Sequence, residues 1–320
     1  MLRSLLIYLS HAEWARRIVT GWSFAWRAAS RFVAGEKLED AIQVVREMNA
    51  KGIDVTLDHL GENTSDAARA AQATDDIIAA LAAIEAEGVR SNVSIKLTQI
   101  GLALDEELCA RNLQRLLEYA QERGTFVRID MEDSPWVEQT LRLYYRMHDE
   151  CGCANVGVVI QSYLYRSAAD VDRLAARGGR VRLCKGAYKE PPEIAFPQKR
   201  DVDANYDLLT GKLIDAALAH GAPQVSANGK IPPIPAIASH DEARIAYAKR
   251  YAQQAGLPKT AMEFQFLHGI ARSLQDQLAA EGYPVRVYVP YGSEWYPYFT
   301  RRLAERPANL WFFLSNFFRR

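Results

Sequence analysis

The chain has 320 residues, and its 39 basic and 39 acidic side chains give a formal charge of zero at neutral pH. A nucleic-acid-binding protein normally carries a basic excess, because contacts with phosphates supply much of its affinity. The apolar content of 49% is typical of a chain that buries a core, which excludes wholesale disorder. These values predict a folded protein that binds no nucleic acid.

The cysteines and histidines predict neither a disulfide scaffold nor a metal site. The four cysteines form no CxxC pair, and the six histidines include no HxxxH pair. Four cysteines in so long a chain favour a reducing compartment. The first residues, MLRSLLIYLSHAEWARR, contain an apolar run too short to span a membrane and lack a signal-peptide cleavage site. We therefore expect a soluble, cytoplasmic protein that requires no metal.

The first 52 residues have the character of helices. Segments near 10–33 and 36–50 are helical in pattern, and the first of them contains Trp14, Trp22 and Trp26. We expect residues 1–52 to form a helical segment that packs on a domain formed by residues 53–320. Contact of this segment with a partner or with a membrane surface is the alternative.

From residue 53 onward, a short β-rich apolar run followed by a longer helical stretch repeats along the chain. The predicted strands are DVTLDH (54–59), VSIKLT (93–98), FVRIDM (126–131), VGVVIQ (156–161), RVRLCK (180–185), PAIASH (235–240), EFQFLH (263–268) and VRVYVP (285–290). One intervening helix is predicted at 66–88, and another begins at Ser134 with a proline in its first turn. Eight such units predict an α/β fold, a (β/α)₈ barrel of the TIM type. A doubly wound open sheet stays possible, because periodicity does not give strand order.

Polar residues accumulate where the predicted strands end, which is the catalytic face of a (β/α)₈ barrel. They are Asp58, His59, Lys96, Asp130, Gln161, Arg182, Lys185, Ser239, His240, Gln265 and Tyr288. A long proline-containing loop, KEPPEIAFPQKRD (189–201), follows the fifth strand. It is either a surface connection or part of an active-site lid.

Two features of the sequence indicate a site that binds an anion. Lys96 lies between apolar neighbours inside a predicted strand, and a lysine buried near other charges can hold an anion. In WYPYFTRRLAE (295–305), Arg301, Arg302 and Glu305 lie within one helical turn. Such a cluster is either a solvated salt-bridged face or a bidentate carboxylate site. The chain lacks GxGxxG, GxxxxGK[ST], HExxH and GxSxG motifs, so these features indicate a barrel enzyme that handles a small carboxylate.

Five motifs in chain order, VSIKLTQIG, VRIDMED, RVRLCKGAY, VRVYVPYG and WYPYFTRRLAE, resemble those of the FAD-dependent proline dehydrogenase family. The resemblance runs from about Asp54 to Pro307, and the length is similar to that of the monofunctional bacterial enzymes. It implies oxidation of L-proline to Δ1-pyrroline-5-carboxylate, with FAD as cofactor and a quinone as electron acceptor. A separate pyrroline-5-carboxylate dehydrogenase is the implied pathway partner.

The resemblance also implies roles for individual residues. Lys96, Arg301 and Arg302 match the residues that hold the carboxylate of proline, and Leu267 and Tyr288 match those packed on its ring. Asp130 matches an acidic position essential for catalysis, and Arg182 matches the catalytic arginine beside the flavin N5. Further positions that match flavin-binding residues are Met131, Gln161, Lys185, Gly186, Ala187, Ser239 and His240.

One loop residue completes the expected site, and two other positions depart from the family pattern. Glu62 matches an acidic loop residue that pairs with the second arginine, Arg302, as a gate. Asp241 and His268 depart from the family pattern, and we expect them to tune flavin affinity. Because quinones reside in lipid, peripheral contact with the inner face of the cell membrane is a further expectation. The apolar tail LWFFLSNFF (310–318) is the candidate segment, although packing on the barrel is the favoured role.

Two other functional classes stay open at this stage. A lyase on the same barrel would form a Schiff base through Lys96 or Lys185. A non-catalytic flavin-binding scaffold is the second alternative, but it leaves Lys96 and the arginine pair unexplained.

Overall fold

The computed structural model describes residues 23–62 and 64–305, with side chains between 26 and 303. Its eight parallel strands form a closed barrel in the order β1 to β8, and β1 pairs with β8. The predicted (β/α)₈ barrel is therefore confirmed, and the open-sheet alternative is wrong. The strands are β1 (Asp54–His59), β2 (Ser91–Ile95), β3 (Val127–Ile129), β4 (Val156–Gln161), β5 (Arg180–Cys184), β6 (Pro235–Ala238), β7 (Glu263–Leu267) and β8 (Val285–Tyr291).

The α-helices of the described residues surround this barrel or cover its ends. They are α1 (Ser23–Ala29), α2 (Leu38–Asn49), α3 (Ala67–Ala86), α4 (Glu106–Glu122), α5 (Val137–Tyr145), α6 (Ser167–Ala175), α7 (Lys199–Ala219), α8 (Glu242–Ala255), α9 (Arg272–Ala280) and α10 (Trp295–Glu305). Within the described ranges, none of these helices is both long and apolar enough to cross a membrane.

The strands end earlier than predicted where the site begins. The predicted run VSIKLT becomes a strand that stops at Ile95, because the chain turns when the backbone amide of Gln99 bonds the carbonyl of Lys96 at 3.1 Å. β3 likewise stops at Ile129, one residue before Asp130. Lys96 and Asp130, both predicted site residues, therefore belong to the loops that leave the strands.

Helix starts follow the capping side chains, with one difference from prediction. Asp66 and Asp105 cap α3 and α4, since each carboxylate accepts a hydrogen bond from a backbone amide three residues later. Ser134 begins a short 3₁₀ turn that ends at Trp136, and α5 starts only at Val137. The Ser134 hydroxyl does not cap this turn, because it donates to a Glu190 carboxylate oxygen at 2.6 Å.

The region preceding β1 packs against the last helix. The rings of Trp26 and Trp295 meet edge to face at 5.4 Å, and Phe32 lies 6.4 Å from Phe299. These residues, with Ala29 and others, form an apolar cluster separate from the main barrel core. The contacts fix α10 across the barrel. The predicted helical residues 10–22 and the tail 310–318 lie outside the described residues.

Buried ion pairs close the amino-terminal end of the barrel. The guanidinium of Arg286 donates to both oxygens of Glu263 at 3.0 and 3.1 Å and lies 3.6 Å from Asp54. It also donates to the carbonyl of Gly229 at 2.8 Å, so the loop before β6 covers this end. Gly229 has φ +69°, and a Cβ there would lie 2.6 Å from the Asp54 carboxylate, which explains the glycine.

Candidate active site

A cavity of about 350 Å³ opens at the carboxyl ends of the strands. Its walls come from the ends of β3 to β8, from the loops after β1, β2 and β5, and from α10. All of the sequence-predicted site residues line this cavity, and they are Glu62, Lys96, Asp130, Met131, Gln161, Arg182, Lys185, Gly186, Ala187, Ser239, His240, Leu267, Tyr288, Arg301 and Arg302. The structure thus brings the whole predicted set together.

Asp130 is the hub of the polar contacts on the cavity floor. Its Oδ2 accepts a hydrogen bond from the Tyr288 hydroxyl at 2.7 Å, and its Oδ1 accepts one from Arg182 Nη1 at 2.8 Å. The Lys96 ammonium lies 3.4 Å from Oδ2. Burial would raise the pKa of Asp130, but the positive charges of Lys96 and Arg182 lower it. Asp130 is therefore a charged carboxylate with fixed orientation.

Lys96 is almost fully buried and is surrounded by acidic groups. Its Nζ lies 3.2 Å from both carboxylate oxygens of Asp58 and 3.3 Å from the Tyr288 hydroxyl. Burial acts to lower the pKa of Lys96, but the negative field led by Asp58 outweighs it and raises that pKa well above its usual value. Burial also raises the pKa of Tyr288. The cavity floor thus presents an ammonium and a neutral phenol.

Arg301, and not Arg302, pairs with Glu62. Its Nη1 and Nη2 donate to the two Glu62 oxygens at 3.0 and 2.6 Å, a bidentate ion pair. The predicted pairing of Glu62 with Arg302 is wrong, because consecutive helical residues point about 100° apart. Only one of them can face the loop after β1, and the guanidinium of Arg302 instead lies over the ring of Tyr298 at 5.2 Å.

Arg182 is held from two sides. Its Nη1 donates to Ser94 Oγ at 2.8 Å as well as to Asp130, and its Nε donates to the side-chain oxygen of Gln265. The amide of Gln265 in turn donates to Glu263 at the amino-terminal end of the barrel, so its orientation is fixed. Arg182 also lies 5.2 Å from the centre of the Tyr288 ring. A guanidinium is therefore preorganised on the cavity floor.

The wall formed by the ends of β3 to β7 combines apolar surface with few polar groups. The apolar lining residues on this side are Met131, Val159, Ala238, Phe266 and Leu267. Gly186 has φ +119°, and a Cβ there would lie 2.4 Å from the Tyr163 ring, so only glycine allows this backbone path along the wall. Together with the Arg182 guanidinium and the Gln161 amide, this wall suits a flat heteroaromatic group.

Asp241 and His268, the two positions that depart from the family pattern, lie in different surroundings. The carboxylate of Asp241 accepts from Lys185 at 2.6 Å and also caps α8 through the amide of Ala243. Burial acts to raise the pKa of Asp241, but its hydrogen bond with Lys185 and the positive charge of that lysine lower the pKa to about 2. His268 does not line the cavity, and burial lowers its pKa to about 4. An influence of either residue on flavin affinity stays a prediction.

Several lining residues were not singled out from sequence. Tyr298 lies three and four residues before the arginine pair, so helical spacing could have placed it on the same face. Tyr188 follows the KGA stretch, and burial raises its pKa. Nothing in the sequence indicates that Cys184 lines the cavity, because it is an ordinary residue of a β-rich run. The part played by Asp58 depends on strand order and could not be inferred from its position alone.

The loop after β5 is tied to the loop after β3. Glu190 accepts hydrogen bonds from the backbone amide and the hydroxyl of Ser134 at 2.8 and 2.6 Å. Tyr188 of the same loop lines the cavity, whereas residues 189–198 do not. A lid function for this loop stays a prediction.

Comparisons with known proteins agree with this geometry. The family model "Proline dehydrogenase" matches residues 41–314. The chain is 43% identical to "Proline dehydrogenase" of Deinococcus radiodurans over 89% of its length and 88% of that protein. It is 38% identical to "Proline dehydrogenase 1" of Bacillus subtilis strain 168 over 98% of both chains.

A solved structure supplies the fold comparison. It is proline utilization A (PutA) from Bdellovibrio bacteriovorus inactivated by N-propargylglycine, with a TM-score of 0.77 and 27% identity. The match covers 88% of this chain and 33% of the other, so the chain corresponds to about a third of that protein. Together with the family match over most of the sequence, these findings show that the chain belongs to the proline dehydrogenase family.

Proposed function

We propose that this protein oxidises L-proline to Δ1-pyrroline-5-carboxylate with bound FAD and passes the electrons to a quinone. The observation that carries the proposal is the convergence of Lys96, Arg301 and Arg302 on one cavity that also contains Arg182. A carboxylate ligand of small size matches this charge, and the family match points to proline.

The carboxylate of proline would be held by the cations at one end of the cavity. Lys96 supplies a point charge, and Arg301 and Arg302 supply planar donors that suit a carboxylate. Leu267 and the ring of Tyr288 line the same cavity and would pack on the pyrrolidine ring. Carbon–nitrogen oxidation needs the amine in its neutral form, and the surrounding positive charges favour loss of the ammonium proton.

FAD would bind along the wall formed by the ends of β3 to β7, whose apolar surface and few polar groups suit a flat ring. When bound, it supplies the two-electron oxidising chemistry that amino-acid side chains lack. The residues that would hold it, besides Arg182, are Met131, Gln161, Lys185, Gly186, Ala187, Ser239 and His240. Arg182 would place a positive charge beside the ring, and Asp130 orients that guanidinium through the 2.8 Å hydrogen bond.

The two alternative functions make different demands on the site. A Schiff-base lyase needs an uncharged lysine, whereas the field of Asp58, Tyr288 and Asp130 keeps Lys96 protonated. Lys185 is likewise engaged by the carboxylates of Asp203 and Asp241.

An anaerobic absorption spectrum separates proline oxidation from a non-catalytic scaffold. We expect a yellow protein that L-proline bleaches, and a yellow protein that L-proline leaves unchanged would favour the scaffold.

Substitution of the arginine pair tests the carboxylate site. Arg301→Ala and Arg302→Lys should each raise the KM for L-proline by about tenfold or more, as expected when a charged hydrogen bond is lost. The flavin absorbance per protein should stay constant in both variants. An unchanged KM in both would overturn the assignment of the carboxylate-binding residues.

The proposed quinone acceptor and the proposed product each imply a partner of this protein. The product hydrolyses to glutamate semialdehyde, so we propose a separate pyrroline-5-carboxylate dehydrogenase as the next enzyme of the pathway. A lipid-soluble quinone requires contact with a membrane surface, which we propose is peripheral and on the cytoplasmic side. Reduction of a quinone in anionic vesicles, with co-sedimentation of the protein, tests this. A protein that reduces only water-soluble quinones and stays in the supernatant would contradict it.

A further inference from the structure

Asp58 lies behind Lys96 and outside the cavity. It is the fifth residue of β1, its side chain is fully buried, and it does not line the cavity. Its two oxygens are equidistant from the Lys96 ammonium, at 3.2 Å each. Among the described residues, Lys96 is the cation that contacts this carboxylate, so the two groups form a buried pair at the cavity floor.

The other acidic neighbours of Lys96 have different principal partners. Asp130 is bonded to Tyr288, Arg182 and Ser94 and approaches Lys96 only at 3.4 Å. Glu62 is held by Arg301 and lies 3.8 Å from the ammonium. Asp58 therefore makes the shortest carboxylate contact with Lys96. Unlike Asp130 and Glu62, it is not also bonded to an arginine.

We propose that Asp58 is a positioning residue that holds the Lys96 ammonium against the cavity floor and thereby fixes the cation that faces the substrate carboxylate. The inference rests on the proposed function, because it assigns that carboxylate to L-proline. A lysine side chain has four flexible torsions, and a carboxylate that engages it with both oxygens restricts them. Asp58 itself is too deeply buried to contact substrate.

The groups that surround the Lys96 ammonium determine how its pKa would change if the charge of Asp58 were removed. The titratable or charged groups near it are Asp58, Glu62, Asp130, Glu132, Tyr188 and Tyr288. Removing the Asp58 charge deletes the largest favourable contribution to the protonated lysine, whereas the burial of Lys96 stays. The lysine should then lose its proton at lower pH and become more reactive towards acylating reagents.

Asp58→Asn tests the proposal, and Asp54→Asn is the matched control. Asp54 lies four residues earlier on β1, is equally buried and is paired with Arg90 at 2.7 Å, but lies at the other end of the barrel. Asp58→Asn should raise the KM for L-proline by about tenfold to a hundredfold, the equivalent of one charged hydrogen bond. Asp54→Asn should leave that KM unchanged. Equal increases in KM for both variants would show a general structural effect and overturn the proposal.

A second readout does not depend on proline oxidation. Acetylation of Lys96 by acetic anhydride, followed by peptide mass spectrometry across pH, measures the proton affinity of the amine. In Asp58→Asn, the pH at which labelling of Lys96 is half-maximal should be lower than in the wild type by about one unit or more. In Asp54→Asn, that pH should equal the wild-type value. An unshifted labelling profile in Asp58→Asn would overturn the proposal. Absence of proline oxidation in the wild type would instead refute the proposed function alone.

A charge-conserving variant keeps the test decisive if the asparagine variant does not fold. Asp58→Glu retains the negative charge but adds one methylene, which displaces the lysine from its position. We expect labelling of Lys96 at nearly the wild-type pH together with a several-fold higher KM. An unchanged KM would show that the position of this carboxylate does not matter.

Discussion

The two ends of the barrel both contain buried charges, but they differ in what those charges face. At the amino-terminal end, Arg286 is satisfied by Glu263 and by backbone carbonyls, and a loop covers it. At the carboxyl end, Lys96 and Arg182 share the carboxylate of Asp130, and both line a cavity. The first arrangement is closed and supports the fold. The second has cations exposed to a cavity and can accept an anion.

The two ends are linked by one side chain. Gln265 accepts from Arg182 and donates to Glu263, which holds Arg286. This chain of contacts passes through the centre of the barrel. Substitutions at its amino-terminal end should therefore act on stability, and substitutions at its carboxyl end should act on ligand binding.

The largest expected effect is on stability at the closed end. Arg286→Met should leave Glu263 and Asp54 buried without their shared cation and reduce the free energy of unfolding by about 3–5 kcal/mol. Urea unfolding measures this, and the KM for L-proline of the folded variant should change little. A strong increase in KM with stability retained would show that the two ends are not functionally separate.

A pH effect of intermediate size is expected at Glu132, which lies behind the cavity. Burial raises the pKa of this carboxyl group to about 7, although Thr98 donates to both of its oxygens. Because the folded state holds the proton more tightly, the stability from this group is full below about pH 4.5 and is lost as pH rises to about 7.

Glu132→Gln removes this titration. Relative to the wild type, the variant should gain about 1–3 kcal/mol in unfolding free energy between pH 4.5 and 8, measured by urea unfolding at several pH values. A constant difference between the two proteins across this range would contradict a raised pKa for Glu132.

A smaller effect is expected where Glu62 meets Arg301. Glu62→Gln keeps the side-chain size but weakens the bidentate pair, so Arg301 loses its fixed orientation and the KM for L-proline should rise about threefold to tenfold. Asp66→Asn, an exposed position just after the same loop, serves as the control with unchanged KM. A lower KM in Glu62→Gln would mean instead that Glu62 competes with the substrate for Arg301.

The smallest effect is expected on the outer surface. The Arg115–Asp75 pair joins α4 to α3 at 2.8 Å, with both side chains more than half exposed. Arg115→Met should change the free energy of unfolding by about 1 kcal/mol or less, because solvent screens the pair. A change as large as that of Arg286→Met would remove the distinction between buried and exposed ion pairs.

The sequence predicts the strands well, because each is a β-rich run bounded by polar residues. β1 and β4 match the predicted ranges at both ends. The count of eight units favours a closed barrel, but periodicity does not give strand order, so only the observed pairing of β1 with β8 excludes an open sheet. The polar strand ends and the arginine pair are visible in the sequence itself, and the motif resemblance adds their expected roles but not their contacts.

The errors concern orientation. Whether Arg301 or Arg302 meets Glu62 depends on the rotation of α10, which the packing of Trp295 and Phe299 against the segment before β1 determines. Spacing along the sequence contains no information about that rotation. Likewise, Asp58 was recognised as a polar strand end, but its contact with Lys96 follows from the neighbouring placement of β1 and β2.

The pairing of the first strand with the last has a consequence for how the site is assembled. Glu62 and Arg301 are 239 positions apart in the chain, yet they form one ion pair at the cavity. A nascent chain or a proteolytic fragment that lacks α10 would contain Lys96, Asp130 and Arg182 but neither Arg301 nor Arg302, the arginines that we propose bind the substrate carboxylate. On that proposed assignment, substrate affinity requires the polypeptide through α10, and we expect its measurement to distinguish such a chain from truncated products that retain most of the barrel.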